Sequence, residues 1–211
     1  MKANLAFALA VGAALLAPFA GAADISWTAA PLTASGTSIR TDGTLKYAYA
    51  RGSYTANGVA FVGVSSGIVN NADCVVWEAS GGAGTAGSSA PDDTETNGYK
   101  DLLEHHWWAT AKGRKIQLNN LEPGKRYLVQ IVAFRSDYTT QSATAPDGAA
   151  SIRFGGTGWE YGGSLVGEFT ADAATEEFTI SYSGQALING IQVRELPSDP
   201  PPAKSAVIFV Q

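Results

Sequence analysis

The chain has 211 residues, a formal net charge of −5, 24 glycines and a single cysteine. Less the leader read below, that length suits one sizeable core in a single all-β domain. The absence of any basic patch argues against nucleic acid or anionic membranes as partners, and a lone cysteine excludes an intrachain disulfide.

The first residues read as a targeting segment. Lys2 gives a positive start, Leu5 to Leu16 is an apolar run, Pro18 breaks it, and Ala20-Gly21-Ala22 offers small residues for cleavage. The run is too short for a comfortable membrane span. The expectation is a signal peptide over 1–22, with Ala23 or Asp24 as the first mature residue, and a secreted or cell-surface protein with no membrane span in its mature chain. Export with one cysteine fits a bacterial source.

The domain is expected over 24–196. Ile25-Ser-Trp27 opens it as a short strand. Thr33–Gly43 is polar, and Thr44–Ala50 alternates, with Leu45, Tyr47 and Tyr49 on one face. Tyr54–Gly58 is a turn ending in Asn57-Gly58, a strong hairpin signal, and Val59–Val64 returns as a strand. Cys74–Glu78 is another strand, where Cys74 reads as a buried, inert thiol. Ala79–Gly98 is a low-complexity loop with an acidic patch, and loops of this length are usually functional or mobile. In Tyr99–Trp108, the residues Tyr99, Leu102, Leu103 and His106 fit one short helical turn.

The stretch Ile116–Phe134 organises the rest. It reads as a hairpin whose turn, Glu122-Pro-Gly-Lys125, has Pro at the second position and Gly at the third, a type II pattern. From Tyr127 to Phe134 only Gln130 is polar, which marks a strand covered on both faces near the centre of a sheet. Arg135–Ala150 reads as a polar loop, Ser151–Phe154 as a strand and Gly155–Gly163 as a Gly-rich loop. Three strands follow, at Ser164–Thr170, Glu177–Tyr182 and Gln185–Arg194. In the last of them Asn189 falls among apolar neighbours, so its amide needs backbone partners. A Pro-rich linker (197–204) and a C-terminal apolar strand (205–211) end the chain. About ten strands with almost no helix predict an antiparallel β-sandwich or jelly roll.

Several motifs, in order, resemble a family of secreted modules common in planctomycetes and verrucomicrobia. They are Ile25-Ser-Trp27, Gly43-Thr-Leu-Lys-Tyr-Ala-Tyr49, Asn57-Gly-Val-Ala-Phe61 and Tyr99-Lys-Asp-Leu-Leu103. Leu121-Glu-Pro-Gly-Lys-Arg-Tyr-Leu-Val-Gln130, Gly167-Glu-Phe-Thr-Ala-Asp172 and Asn189-Gly-Ile-Gln-Val-Arg194 complete the set. The resemblance implies a galactose-binding-like jelly roll, a fold widely used in carbohydrate-binding modules, and no defined ligand. Many members end in a Pro-Glu-Pro sorting tail, which is not expected here.

Sugar binding needs flat aromatic faces for stacking, with amides, carboxylates or Arg to hold hydroxyls. The expected ligand-binding residues are Trp107, Trp108, Trp159, Glu160, Tyr161, Arg135 and Asp137, and the expected partner is polysaccharide. For each Trp the alternative is a ring that caps the edge of the core. Asp92, Asp93 and Glu95 are weak candidates for a structural calcium site, as are Asp42 and Asp73, because calcium takes six to eight oxygens; a solvated acidic loop is the alternative. His105 and His106 diverge and do not suit a metal. Nothing in the spacing of Glu160 and Glu168 selects them as a glycosidase pair, and there is no nucleophile elbow or phosphate loop. A non-catalytic binding module is expected, with self-association through 205–211 as the alternative, since free sheet edges accept apolar strands.

Overall fold

The computed structural model describes residues 23–64, 69–76, 98–136, 139–156 and 162–198, together with the backbone of 81–85. The chain begins with β1 (Ser26–Pro31), β2 (Thr44–Ala50), β3 (Tyr54–Ala56), β4 (Val59–Gly63), β5 (Cys74–Val76) and β6 (Gly81–Thr85). Helix α1 (Tyr99–Glu104) precedes β7 (His105–Ala109), β8 (Gly113–Leu118), β9 (Arg126–Phe134), β10 (Gln141–Thr144) and β11 (Ser151–Phe154). The last strands are β12 (Gly162–Thr170), β13 (Glu176–Tyr182), β14 (Ala186–Ile188) and β15 (Gly190–Glu195).

These strands form an all-β sandwich. One sheet has the order β1-β12-β9-β15-β2-β4-β3, a second β11-β10-β13-β8-β5, and a small third β14-β7-β6. Every pairing is antiparallel except β2 with β4. From β8 to β15 the chain passes repeatedly between the two large sheets, the connectivity of a jelly roll.

Local sequence accounts for the turns. Asn57 and Gly58 both have positive φ, 47° and 73°, as the two-residue turn between β3 and β4 demands. Lys125 N donates to Glu122 O at 3.1 Å over Gly124, whose φ is +84°. That is the expected type II turn.

It does not, however, close a hairpin. Strand β8 hydrogen-bonds to β13 and β5, while β9 hydrogen-bonds to β12 and β15. The segment 119–125 therefore crosses from one sheet to the other. Burial explains the split: β8 alternates between buried and solvent-facing residues, as a strand with one wet face does, whereas β9 is buried on both faces. Residues Tyr127, Val129, Ile131 and Ala133 join the core between the sheets, and Val132 and Phe134 join a second core on the outer face. Leu32, Ile39, Tyr99, Leu102 and Leu103 cover that second core from segment 32–43 and α1.

Between these apolar groups runs a buried polar ladder. Gln130 Nε2 donates to Ser164 Oγ (2.9 Å) and Ser38 O (2.6 Å), and Gln130 Oε1 accepts from Arg40 N at 3.0 Å. Gln192 Nε2 donates to Arg40 O at 3.0 Å. The Arg194 guanidinium donates to Gln192 Oε1 and to the carbonyls of Thr41, Asp42 and Gly43. Two adjacent strands, β9 and β15, thus clamp segment 38–43 onto the sheet. Gln130, Gln192 and Arg194, polar members of the sequence motifs, have structural work here.

Four further expectations change. Gly81–Thr85, within the expected low-complexity loop, pairs with β7 as β6; its glycines carry no side-chain pattern, so pairing with β7 decides it. Gln141–Thr144, inside the expected polar loop, is β10. The helical turn stops at Glu104, so His106 lies on β7. The expected strand Gln185–Arg194 breaks at Asn189. Its Oδ1 accepts from Phe134 N at 2.6 Å, and its Nδ2 donates to Leu103 O and His105 O at 2.7 and 3.1 Å. The backbone partners expected for that amide are all present.

Candidate ligand-binding end of the sandwich

Strand register places three connections at one end of the molecule. Gly162, where β12 begins, lies opposite Phe134, where β9 ends, and Phe154, where β11 ends, lies opposite Gln141, where β10 begins. The β13–β14 connection joins them, with Ser183 N donating to Ser142 O at 3.1 Å. The chain therefore leaves the sheets at Arg135, Gly155 and Ser183 on the same side. Loops gathered at one end of a rigid sandwich are the usual place for binding.

Arg135 is half-buried at this end, and its Nη1 donates to Gln185 Oε1 at 3.0 Å. The Gln141 side chain lies against Gly184, within 2.7 Å of where a Cβ there would stand. Beneath, Phe154 and Tyr182 meet edge-to-face at 6.2 Å. Burial pushes the Tyr182 phenol well above its ordinary pKa, with the positive charge of Arg114, itself buried on β8, pulling it back. Trp108, half-buried, faces Leu187 on β14, two residues beyond Gln185. A guanidinium and two amides thus share this end, groups suited to sugar hydroxyls, with Trp108 on the neighbouring strand β7.

Trp107 does not belong to the set. It is 1% exposed, and its Nε1 donates to Val64 O at 3.1 Å. Neighbouring strand residues point to opposite faces, and here one indole is sealed in the core between the sheets. Trp159, Glu160, Tyr161 and Asp137 lie outside the described residues, as do Asp92, Asp93, Glu95 and segment 205–211. Sequence reasoning missed Gln141, Gln185 and Arg114. The only signal for Gln185 was its place directly after Ser183-Gly184, in a turn between strands.

Asp42 and Asp73, the other weak calcium candidates, are each engaged by protein groups. Asp42 pairs with Arg40 at 2.6 Å, which holds its carboxyl below the usual range. Asp73 accepts from Tyr49 Oη at 2.6 Å and Asn120 Nδ2 at 2.9 Å. Among the described residues no three His, Cys, Asp or Glu side chains converge. The Cys74 thiol is fully buried, and burial, helped by the Asp73 charge, pushes its pKa up to about 12. Glu168 carries ion pairs to Arg126 (3.5 Å) and Arg40 (3.8 Å). Gly162 and Glu168 are separated by about 20 Å of extended strand, so β12 places Glu168 at the other end from the aromatic-bearing loop.

At that other end lies an open groove of about 460 Å³, lined by Asp24, Ser26, Thr28, Arg126, Glu168, Phe169 and Thr170. The Arg126 and Glu168 charges compensate each other there, and the Phe169 ring is buried. The groove presents hydroxyls and charge without an aromatic face.

No family model and no curated protein matches the chain. Among solved structures, a Bacteroides uniformis beta-glucuronidase is similar at 15% identity and a TM-score of 0.41, over 72% of this chain and 18% of that one. A calcium-binding mutant of Bacteroides uniformis beta-glucuronidase 2 is similar at 14% identity and a TM-score of 0.41, again over 72% and 18%. The chain spans less than a fifth of either protein. No helix among the described residues is long and apolar enough to cross a membrane.

Proposed function

We propose that the chain is an exported, non-catalytic β-sandwich module that binds extracellular polysaccharide through the end where β9 finishes and β12 begins. One observation carries the reading: Arg135 and Gln185 meet at the end where β9 finishes and β12 begins, and the sequence leading into β12 includes Trp159-Glu-Tyr161. Guanidinium and amide groups hold sugar hydroxyls, while indole and phenol faces cover apolar C–H surfaces. The opposite groove has charged groups paired to each other, and the one thiol is buried, so neither supplies a reactive group.

The test is retention of the processed protein on a panel of soluble and insoluble polysaccharides, with and without Ca²⁺. Retention on one glycan is expected. Arg135→Ala and Trp159→Ala should each weaken it about tenfold or more, roughly 1.4 kcal/mol, with melting temperatures close to that of the unaltered protein. A folded protein retained on no glycan overturns the reading.

A further inference from the structure

Glu176 is a buried carboxylate at the start of β13, 2% exposed. Its Oε1 accepts from Asp172 N at 3.2 Å, closing the turn between β12 and β13. Its Oε2 accepts from the backbone nitrogen of Ala23 at 2.9 Å. Among the described residues these two backbone groups are its polar partners, and no Lys or Arg side chain reaches it. A buried carboxylate held by two neutral amides lacks the opposite charge that burial ordinarily demands.

The nitrogen on Oε2 is the one that a leader-removing cut would transform. Ala20-Gly21-Ala22 supplies the small residues for cleavage just before Ala23. We propose that processing between Ala22 and Ala23 turns the Ala23 nitrogen into an α-ammonium that forms a buried ion pair with Glu176, so that removal of the leader completes the fold. The inference rests on the export reading.

The chemistry is hydrolysis by an endopeptidase that cuts after small residues. The Ala22–Ala23 C–N bond breaks, the oxygen of one water ends in the Ala22 carboxylate, and the amine leaves protonated on Ala23. Its ordinary pKa is about 7.7–8.0, and a carboxylate at hydrogen-bond distance favours the charged form. One amide donor becomes three ammonium donors carrying a full charge.

Two observations support the site beyond the single distance. Ala23 is itself buried, 7% exposed, in the core with Trp27 and Phe178. The cut must therefore precede folding, as cleavage during export does. Ala23 also borders a hollow of about 240 Å³ whose lining includes Asp24 and Asp147, two carboxylates that favour a positive charge, beside Glu177, which pairs with Lys115 at 2.7 Å. The geometry further selects between the two candidate start residues. A chain that began at Asp24 would lack the nitrogen that Glu176 holds.

The experiment begins with N-terminal sequencing and intact mass of the full chain after export from a bacterial host. A first residue of Ala23 is expected. An unprocessed chain overturns the export reading itself, whereas a processed chain that starts elsewhere overturns only the pairing. Melting is then compared for the processed protein and for a form with one additional residue before Ala23, each with and without Glu176→Gln. That variant keeps the side chain's shape and removes its charge. The additional residue should lower Tm by about 4 °C or more with Glu176 in place, and by far less in the Glu176→Gln background. Equal losses in both backgrounds, or none in either, overturn the pairing.

Discussion

The side-chain amides of Gln130 and Gln192 meet across β9 and β15, with Gln192 Nε2 donating to Gln130 Oε1 at 2.7 Å. Both residues are fully buried, and the pair links Ser164 on β12 to Arg194 on β15 and both to segment 38–43.

Gln130→Leu should therefore do more than remove four side-chain hydrogen bonds. It leaves Arg40 N–H and one Gln192 donor without their acceptor in a dry layer, where each orphaned group costs about 1–3 kcal/mol. A loss of roughly 3 kcal/mol in urea unfolding is expected, with faster hydrogen exchange at the Arg40 amide. Unchanged exchange there would show that the ladder does not hold segment 38–43.

The two adjacent tryptophans should separate cleanly. Trp107→Ala empties a sealed site in the core and should cost about 3–5 kcal/mol. Trp108→Ala, at a half-buried position, should cost much less and should weaken glycan retention while the protein stays folded. Retention lost in Trp107→Ala beyond what its unfolded fraction explains would contradict this division.

Gly43 and Gly124 both have positive φ, +68° and +84°, but their surroundings differ. A Cβ on Gly43 would stand 2.1 Å from Glu195 O, whereas nothing lies within 4 Å of one on Gly124. Gly124→Ala should cost about 1 kcal/mol, the backbone penalty alone. Gly43→Ala should cost well above that, because the carbonyl it meets belongs to β15. Equal melting temperatures for the two variants would refute the contact.

At alkaline pH the fold should weaken. Burial, with the Asp73 charge, raises the Cys74 thiol from 9.0 to about 12; burial, with the hydrogen bond to Asp73, raises the Tyr49 phenol from 10.0 to about 12. Burial also raises Tyr47, Tyr54, Tyr99 and Tyr182. Above pH 9 the unfolded chain loses these protons first, so it binds fewer than the folded one and stability falls as pH rises. The contribution is complete below pH 9 and lost through about pH 12. Denaturation midpoints across that range measure it, with tyrosinate absorbance expected to appear together with unfolding. A midpoint that stays level from pH 9 to 12 would refute it.

Much of the local structure was legible because it depends on short-range physics. Asn57-Gly58 and Glu122–Lys125 carry the residues that their turns require. The unbroken apolar run of β9 marked a strand buried on both faces, and Asn189 in an apolar strand pattern announced a side chain bound to backbone. The candidate site was legible in part. Arg135 was readable as a loop residue, but nothing local showed that it meets Gln185, fifty residues away in the chain.

Sequence alone determined most of the segments that extend, several of the turns and which strand lies near the centre, since side-chain periodicity and turn chemistry act over a few residues. Tertiary structure alone decided the pairing. The turn at Pro123-Gly124 reverses the chain equally well within one sheet or between two, and only the partners β13 and β12, 28 or more residues downstream, assign β8 and β9 to different sheets. The same long-range pairing turned a featureless glycine run into β6, sealed Trp107 while leaving Trp108 at the margin, and set the nitrogen of Ala23 against Glu176.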